Sequence, residues 1–87
     1  MTISVIRPFS NEDAAVVEKA AARFCTRHGI QRDADYPDAY MDVRVHLRNE
    51  SDNPLRQLWQ ACFCRAVGLP YDRRLTVAHG HLGFYID

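Results

Sequence analysis

Residues 33–48, "DADYPDAYMDVRVHLR", decide how the middle of this chain folds. From residue 40 onward, apolar and polar residues alternate. The apolar set is Met41, Val43, Val45 and Leu47, and the polar set is Asp42, Arg44, His46 and Arg48. A period of two is typical of a strand with one buried face and one solvated face. We therefore expect a β-strand over residues 40–48, preceded by an acidic loop that begins at Asp33.

The preceding part of the chain predicts a strand followed by a helix. Residues 3–6, "ISVI", are mostly β-branched, and Pro8 after them cannot donate a hydrogen bond to a sheet. Ser10 is placed to cap the helix, Asp13 lies in the capping-box position, and Gly29 is a stop signal. Apolar residues at steps of three and four then indicate one buried stripe of Ala14, Val17, Ala21, Phe24 and Cys25.

A second helix and a hairpin are expected after the central strand. The helix follows "SDNP" at residues 51–54, where Asp52 or Asn53 is the cap and Pro54 takes the first helical position. Its apolar face comprises Leu55, Leu58, Trp59, Cys62, Phe63 and Ala66. Residues 73–87, "RRLTVAHGHLGFYID", alternate on both sides of Gly80, which predicts a hairpin.

These elements make a single α+β domain over residues 1–87, in the order β-α-β-α-β-β. Each helix has one apolar stripe and each strand one apolar face, so we expect a single small sheet with two helices packed on one face. The other face of the sheet would be open. The expected core is Val5, Val17, Phe24, Val43, Val45, Leu58, Trp59, Phe63, Val77 and Phe84.

Composition limits the classes of protein to consider. Eleven Lys and Arg balance eleven Asp and Glu, so net charge supplies no overall attraction to nucleic acid or to an anionic membrane. No apolar run approaches the roughly 20 residues of a membrane span, and the first residues lack the pattern of a signal peptide. Three cysteines are an odd number and too few for a disulfide framework. We therefore expect reduced thiols and a cytoplasmic protein.

No set of residues carries a catalytic, cofactor or metal signature. Cys62 and Cys64 would point about 200° apart on a helix and cannot chelate one ion, so we expect Cys62 in the core and Cys64 exposed. His79 and His81 lie at the predicted turn without two further ligands at zinc-site spacing. The aspartate run lacks the glycine and glutamate of an EF-hand loop. We expect no catalytic residue, cofactor or metal; a chemical role for Cys64 or the His79/His81 turn stays open.

Residues 3–24, "ISVIRPFSNEDAAVVEKAAARF", resemble the opening strand and helix of the coenzyme A-dependent N-acetyltransferases. The resemblance covers the first quarter of the chain. That family holds acyl-coenzyme A on a glycine-rich turn at a helix start, whereas Gly80 and Gly83 in "HGHLGF" have no helix after them. The resemblance therefore implies a similar local β-α packing without acetyltransferase activity.

Two functions remain open, with a small enzyme third. The first is a non-catalytic module that regulates or inhibits a larger protein or assembly, as anti-CRISPR and antitoxin-like proteins of bacteria and phages do, its acidic loop docking on a partner's arginines. The second is nucleic-acid or phosphate binding on the open sheet face. A homodimer is compatible with either. The candidate partner-binding residues are Asp33, Asp35, Asp38, Tyr40, Arg44, His46, Arg48, Arg74 and Tyr85.

Overall fold

A computed structural model describes residues 2–48 and 54–86. The elements in chain order are β1 (Thr2–Pro8), α1 (Asn11–His28), α2 (Ala39–Arg48), α3 (Pro54–Ala66), β2 (Leu75–Ala78) and β3 (His81–Ile86). The strands form one antiparallel sheet in the order β1-β3-β2. The α+β class is confirmed, but the element order is β-α-α-α-β-β, with three helices in place of the expected two.

The additional helix, α2, replaces the strand expected over residues 40–48. Residues spaced by four satisfy a strand's alternation and also return to nearly the same face of a helix, so the sequence pattern fits both structures. Ala39, Val43 and Leu47 use the helical spacing and are buried. Val45, which a strand would bury beside Val43, is only half-buried.

Carboxylates at the start of α2 explain why the helix forms. The carboxylate of Glu18, on α1, accepts hydrogen bonds from the backbone amides of Ala39 and Tyr40 at 2.9 and 3.1 Å. The carboxylate of Asp38 accepts one from the amide of Met41 at 2.8 Å. These amides have no partner within a helix, so the three bonds favour the helical conformation. Glu18 lies in a distant part of the chain, so the sequence pattern of residues 40–48 does not reveal these hydrogen bonds.

The start of α1 is confirmed as a capping box. Ser10 Oγ accepts from the Asp13 amide at 3.0 Å, and the Asp13 carboxylate accepts from the Ser10 amide at 2.9 Å. Arg7 of β1 forms an ion pair with Asp13 and donates to the carbonyl of Val67, just after α3, at 2.7 Å. Hydrogen bonds from Arg7 and Ser10 lower the pKa of Asp13 to about 2. One guanidinium therefore connects β1, α1 and the end of α3.

The expected hairpin is also confirmed, with a two-residue turn. His79 and Gly80 have φ angles of 53° and 77°, the left-handed values of a type I′ turn. On its other edge β3 pairs with β1, where a Cβ on Gly83 would clash with the carbonyl oxygen of Ser4. The close approach of these two strands therefore requires a glycine at position 83.

The core lies between the helices and one face of the sheet. Trp59 and Phe63 are buried as expected, with Val17, Phe24 and Val43. Ring contacts join α1 to α3, because the Phe24 and Trp59 centroids lie 5.4 Å apart. The inner face of the sheet contributes Leu75 and Leu82.

Several core expectations were wrong. Val5 and Leu58 are each 51% exposed, and Val45 is only half-buried. Val77 and Phe84 are half-buried but pack against the core, as expected. Val5 pairs with Gly83, whose neighbours on β3 point inward, so Val5 lies on the outer face.

Helix α3 is also rotated relative to the expectation. Its buried face is turned toward the segment before β2, because Gln60 Nε2 donates to the carbonyls of Asp72 and Leu75, both at 2.8 Å. Cys64 is therefore buried, so the expectation that it is exposed was wrong, while Cys62 is half-buried and packs against the core.

Replacement of Trp59 tests this orientation of α3. We expect Trp59→Ala to lower the free energy of unfolding by about 3–5 kcal/mol, because it empties a packed site. The neighbouring Leu58→Ala removes an exposed side chain and should cost less than about 1 kcal/mol. Urea denaturation of both variants measures the difference. Equal losses would show that α3 faces the core differently.

The low pKa of Asp13 predicts a specific dependence of stability on pH. Ionised Asp13 stabilises the folded state fully above the carboxyl's ordinary pKa of 3.8, and this contribution is lost as pH falls through about 2. Asp13→Asn should cost about 1 kcal/mol or more at pH 7. The gap between wild type and variant should narrow from pH 4 to pH 2 in denaturant titrations. A gap independent of pH would contradict the assignment.

Candidate functional site

The eleven Lys and Arg residues of the sequence divide into three groups. Arg7, Arg32 and Arg74 form ion pairs with Asp13, Asp42 and Asp72, respectively. The other eight form no ion pair with another described residue, and they line two concave surfaces, four on each. Arg44, Arg48, Arg56 and Arg73 line a surface that we call the arginine cleft. Lys19, Arg23, Arg27 and Arg65 line a second, the basic groove.

Most of the described carboxylates, by contrast, accept hydrogen bonds from other groups of the protein. Asp42 is 4% exposed and accepts hydrogen bonds from Arg32 Nε at 2.6 Å and from the Asp33 amide at 2.9 Å. Burial raises the pKa of Asp42, but the hydrogen bonds from Asp33 and Arg32 lower it by more, so the group stays ionised. Together with the Glu18 cap, this use of acids leaves surface cations that form no ion pair with another described residue, although the chain has zero net charge.

The arginine cleft lies between α2, α3 and the segment that leads into β2, and has a volume of about 460 Å³. Aromatic rings form its floor. Tyr40 and Phe63 are stacked with centroids 6.3 Å apart, and Tyr40 and Trp59 lie 6.1 Å apart. These contacts hold α2 against α3 below the cationic side chains.

The α2 wall of the cleft carries Arg44 and Arg48. They are one turn apart and therefore share a helix face. The Arg44 guanidinium lies 5.5 Å from the centroid of the Tyr40 ring, a cation–π contact that holds it over the floor. Burial raises the pKa of Tyr40, against the opposing charge of Arg44, so its hydroxyl stays protonated at neutral pH.

The opposite wall carries Arg56 and Arg73. Arg56 Nε donates to the carbonyl of Leu47 at 3.1 Å, which fixes its side chain at the end of α2. The two hydrogen bonds of Gln60 hold the segment that presents Arg73 and the 56% exposed Tyr71. No acidic residue is present among the described residues that line the cleft. Guanidinium groups in this arrangement can bind carboxylate or phosphate in a bidentate manner.

Of the residues that the sequence analysis proposed for partner binding, the structure brings together Tyr40, Arg44 and Arg48. His46 does not join them, because residues two apart on a helix point about 200° apart. The expected alignment of Arg44, His46 and Arg48 on an open sheet face is therefore wrong.

The remaining proposed residues lie elsewhere. Arg74 pairs with Asp72 and sits 4.8 Å from the centroid of the Phe84 ring. Tyr85 is 47% exposed on β3. The loop before α2, outside the cleft lining, contains Asp33, Asp35 and Asp38. The Asp33 carboxylate accepts a hydrogen bond from the Asp35 amide, and Asp38 caps α2. Docking of this loop on a partner's arginines stays a prediction.

Sequence reasoning missed Arg56, Tyr71 and Arg73. Residues 54–71 contain two arginines and no acidic residue, a charge bias that points to a basic surface. The pairing of α2 with α3 around Tyr40 was needed to show that Arg56 and Arg48 face one space, and the expected central strand concealed it.

Comparisons with protein-family models, curated proteins and solved structures gave no match to this chain. Within residues 2–48 and 54–86, no three His, Cys, Asp or Glu side chains are grouped so that they could hold a metal ion. None of the described helices combines the length and the apolar character needed to cross a membrane.

Two neutralising substitutions should affect the melting temperature differently, one at an ion-paired arginine and one at an arginine of the cleft. We expect Arg32→Gln to lower the melting temperature clearly, because it leaves the buried Asp42 carboxylate without its ionic partner. Arg48→Gln should leave the melting temperature nearly unchanged, since it forms no ion pair with another described residue. Differential scanning fluorimetry compares them. A similar loss for both would show that Arg48 has a structural role.

Proposed function

We propose that this protein is a non-catalytic binding module whose arginine cleft holds an acidic segment of a larger protein. The observation that carries the proposal is the convergence of four arginines on one cleft, none of them ion-paired with a described residue. Like charges held close together repel, so the arrangement is unfavourable without a ligand and favourable with an anionic one. Regulation or inhibition would then follow from occupation of the partner's surface.

The small size and zero net charge of the protein favour a short acidic segment over duplex nucleic acid. The molecule measures 33 × 29 × 24 Å. A duplex laid along its longest dimension presents about 20 phosphate charges, one per roughly 1.7 Å of axis. Four of these would meet the cleft, and the rest would face a protein whose other charges are seven basic and eleven acidic residues. A peptide segment places its carboxylates on the arginines alone.

The cleft lining also favours binding over catalysis. Its described side chains are arginine, glutamine, threonine, tyrosine and apolar groups, without a carboxylate, histidine or cysteine. Arginines can orient and neutralise an anion, whereas acid–base chemistry at neutral pH needs a group of suitable pKa. A cytoplasmic location is part of the proposal, and the three unpaired cysteines support it.

Single-stranded nucleic acid is a second candidate, which Tyr71 favours. This residue is 56% exposed in the cleft lining, close in sequence to Arg73. Stacking of a base on an aromatic ring contributes about 1–3 kcal/mol, and it accompanies backbone contacts with cations in single-strand binders.

Fluorescence anisotropy with two labelled probes tests these candidates. One probe is a peptide of about ten glutamates and the other an oligothymidylate of about ten nucleotides, so that their charges are similar. We expect the peptide to bind the wild type and to lose about tenfold or more in affinity with Arg44→Glu/Arg48→Glu. The matched control, Arg23→Glu/Arg27→Glu, reverses the same number of charges one turn apart on α1 and should retain binding.

The other outcomes decide against the first proposal. Preferential binding of the oligonucleotide, weakened by Tyr71→Ala, would establish the second candidate in its place. Equal loss of peptide affinity in both double variants would show that only overall charge attracts the probe. No binding of either probe would refute an anion-binding cleft.

A further inference from the structure

The basic groove is a second concave surface, between α1 and α3, with a volume of about 430 Å³. Its floor is apolar and consists of Val16, Ala20, Phe24, Cys62 and Ala66. Val16 is 42% exposed, and Ala20, Cys62 and Ala66 are each partly exposed. The floor is thus an apolar helix face that no described element covers.

The rim of the groove is cationic. Lys19, Arg23 and Arg27 follow one ridge of α1, and Arg65 projects from α3. None of them forms an ion pair with another described residue, and no acidic residue belongs to the described lining. An apolar floor between cations is complementary to an apolar stripe flanked by carboxylates.

The dimensions of the groove fit a helix. Its α1 wall extends from Val16 to Arg27, which corresponds to about 16 Å, or three helical turns, at 1.5 Å per residue. Two packed helices form a surface of ridges and grooves that accepts a third helix. An amphipathic helix places apolar residues on such a floor at steps of three and four.

We propose that the basic groove binds an acidic amphipathic α-helix of a partner protein, about three turns long. Its apolar stripe would pack on Ala20, Cys62 and Ala66, and its flanking Asp or Glu side chains would pair with the rim. This proposal uses a surface with no residue in common with the arginine cleft and does not depend on the function proposed for that cleft.

Charge and shape argue against other occupants. A symmetric dimer formed through this groove would bring the four cations of one copy against the same four of the other. Single-stranded nucleic acid binds with its bases stacked on exposed rings, whereas Phe24, the aromatic residue of the lining, is 4% exposed.

Cys62 provides a direct probe of occupancy. Cys25 and Cys64 are 3% and 1% exposed, so Cys62 is the thiol expected to react with a maleimide. The test peptide has about 14 residues, with leucines at positions i, i+3, i+4 and i+7 and glutamates beside them. Its control is a scrambled peptide of the same composition. At saturation, the amphipathic peptide should slow labelling about tenfold or more and gain helical circular dichroism, and the scrambled peptide should do neither.

Double variants of the groove and of the cleft distinguish binding at one surface from binding at the other. Protection of Cys62 should be lost in Arg23→Glu/Arg27→Glu and retained in Arg44→Glu/Arg48→Glu. Cys62→Ser should abolish labelling, which identifies the reacting thiol, and thermal melts check that each variant is folded. If Arg23→Glu/Arg27→Glu is unfolded, Arg65→Glu alone takes its place.

Three results would overturn the proposal. The first is absence of protection in the wild type, and the second is equal protection by the scrambled peptide, which would indicate attraction by charge alone. The third is protection that increases with protein concentration without peptide, which would show that a second copy covers the groove.

Discussion

The carboxylate of Glu18 accepts hydrogen bonds from the first two amides of α2, and the central part of the structure depends on this cap. As a helix, residues 39–48 bury Ala39, Val43 and Leu47 in the core and pack against α1. The same helix puts Arg44 and Arg48 on one face, above the aromatic floor shared with α3. A strand at this position would have separated Arg48 from Arg56 and left no cleft.

The Glu18 cap is one example of how this protein uses its acids. Asp13, Asp38 and Asp42 also accept hydrogen bonds from backbone amides, and Asp13 and Asp42 hold an arginine as well. Carboxylates of this kind stabilise helix starts and turns, where amides lack partners. The cations left without a described ionic partner then lie on two concave surfaces. A balanced composition therefore yields a surface of segregated charge, which net charge does not reveal.

The parts of the fold that were predicted correctly are those specified by neighbouring residues. The Ser10–Asp13 capping box, the Gly29 stop, the helical start at Pro54 and the turn at Gly80 each depend on a few adjacent positions. The part that failed, residues 40–48, has a pattern compatible with two structures, and the choice depends on Glu18, more than twenty residues away.

In the candidate site too, the residues predicted correctly are those recognisable from their own segment, and the residues missed depend on distant contacts. Tyr40, Arg44 and Arg48 were singled out from their own segment, although for a strand. Arg56, Tyr71 and Arg73 were missed because their proximity to α2 depends on the packing of Tyr40 on Phe63 and on the Gln60 hydrogen bonds. Charge bias could have indicated a basic surface, but only tertiary contacts show which arginines share a cleft.

Backbone chemical shifts of residues 39–48, compared between the wild type and Glu18→Gln by nuclear magnetic resonance, test this account most directly. Helical Cα shifts are expected throughout the segment in the wild type. In Glu18→Gln, the Ala39 and Tyr40 amide resonances should move and the helical shifts at the start of α2 should weaken, because a neutral amide is a poorer acceptor than a carboxylate. Strand-like shifts in the wild type, or a segment unaffected by the substitution, would contradict it.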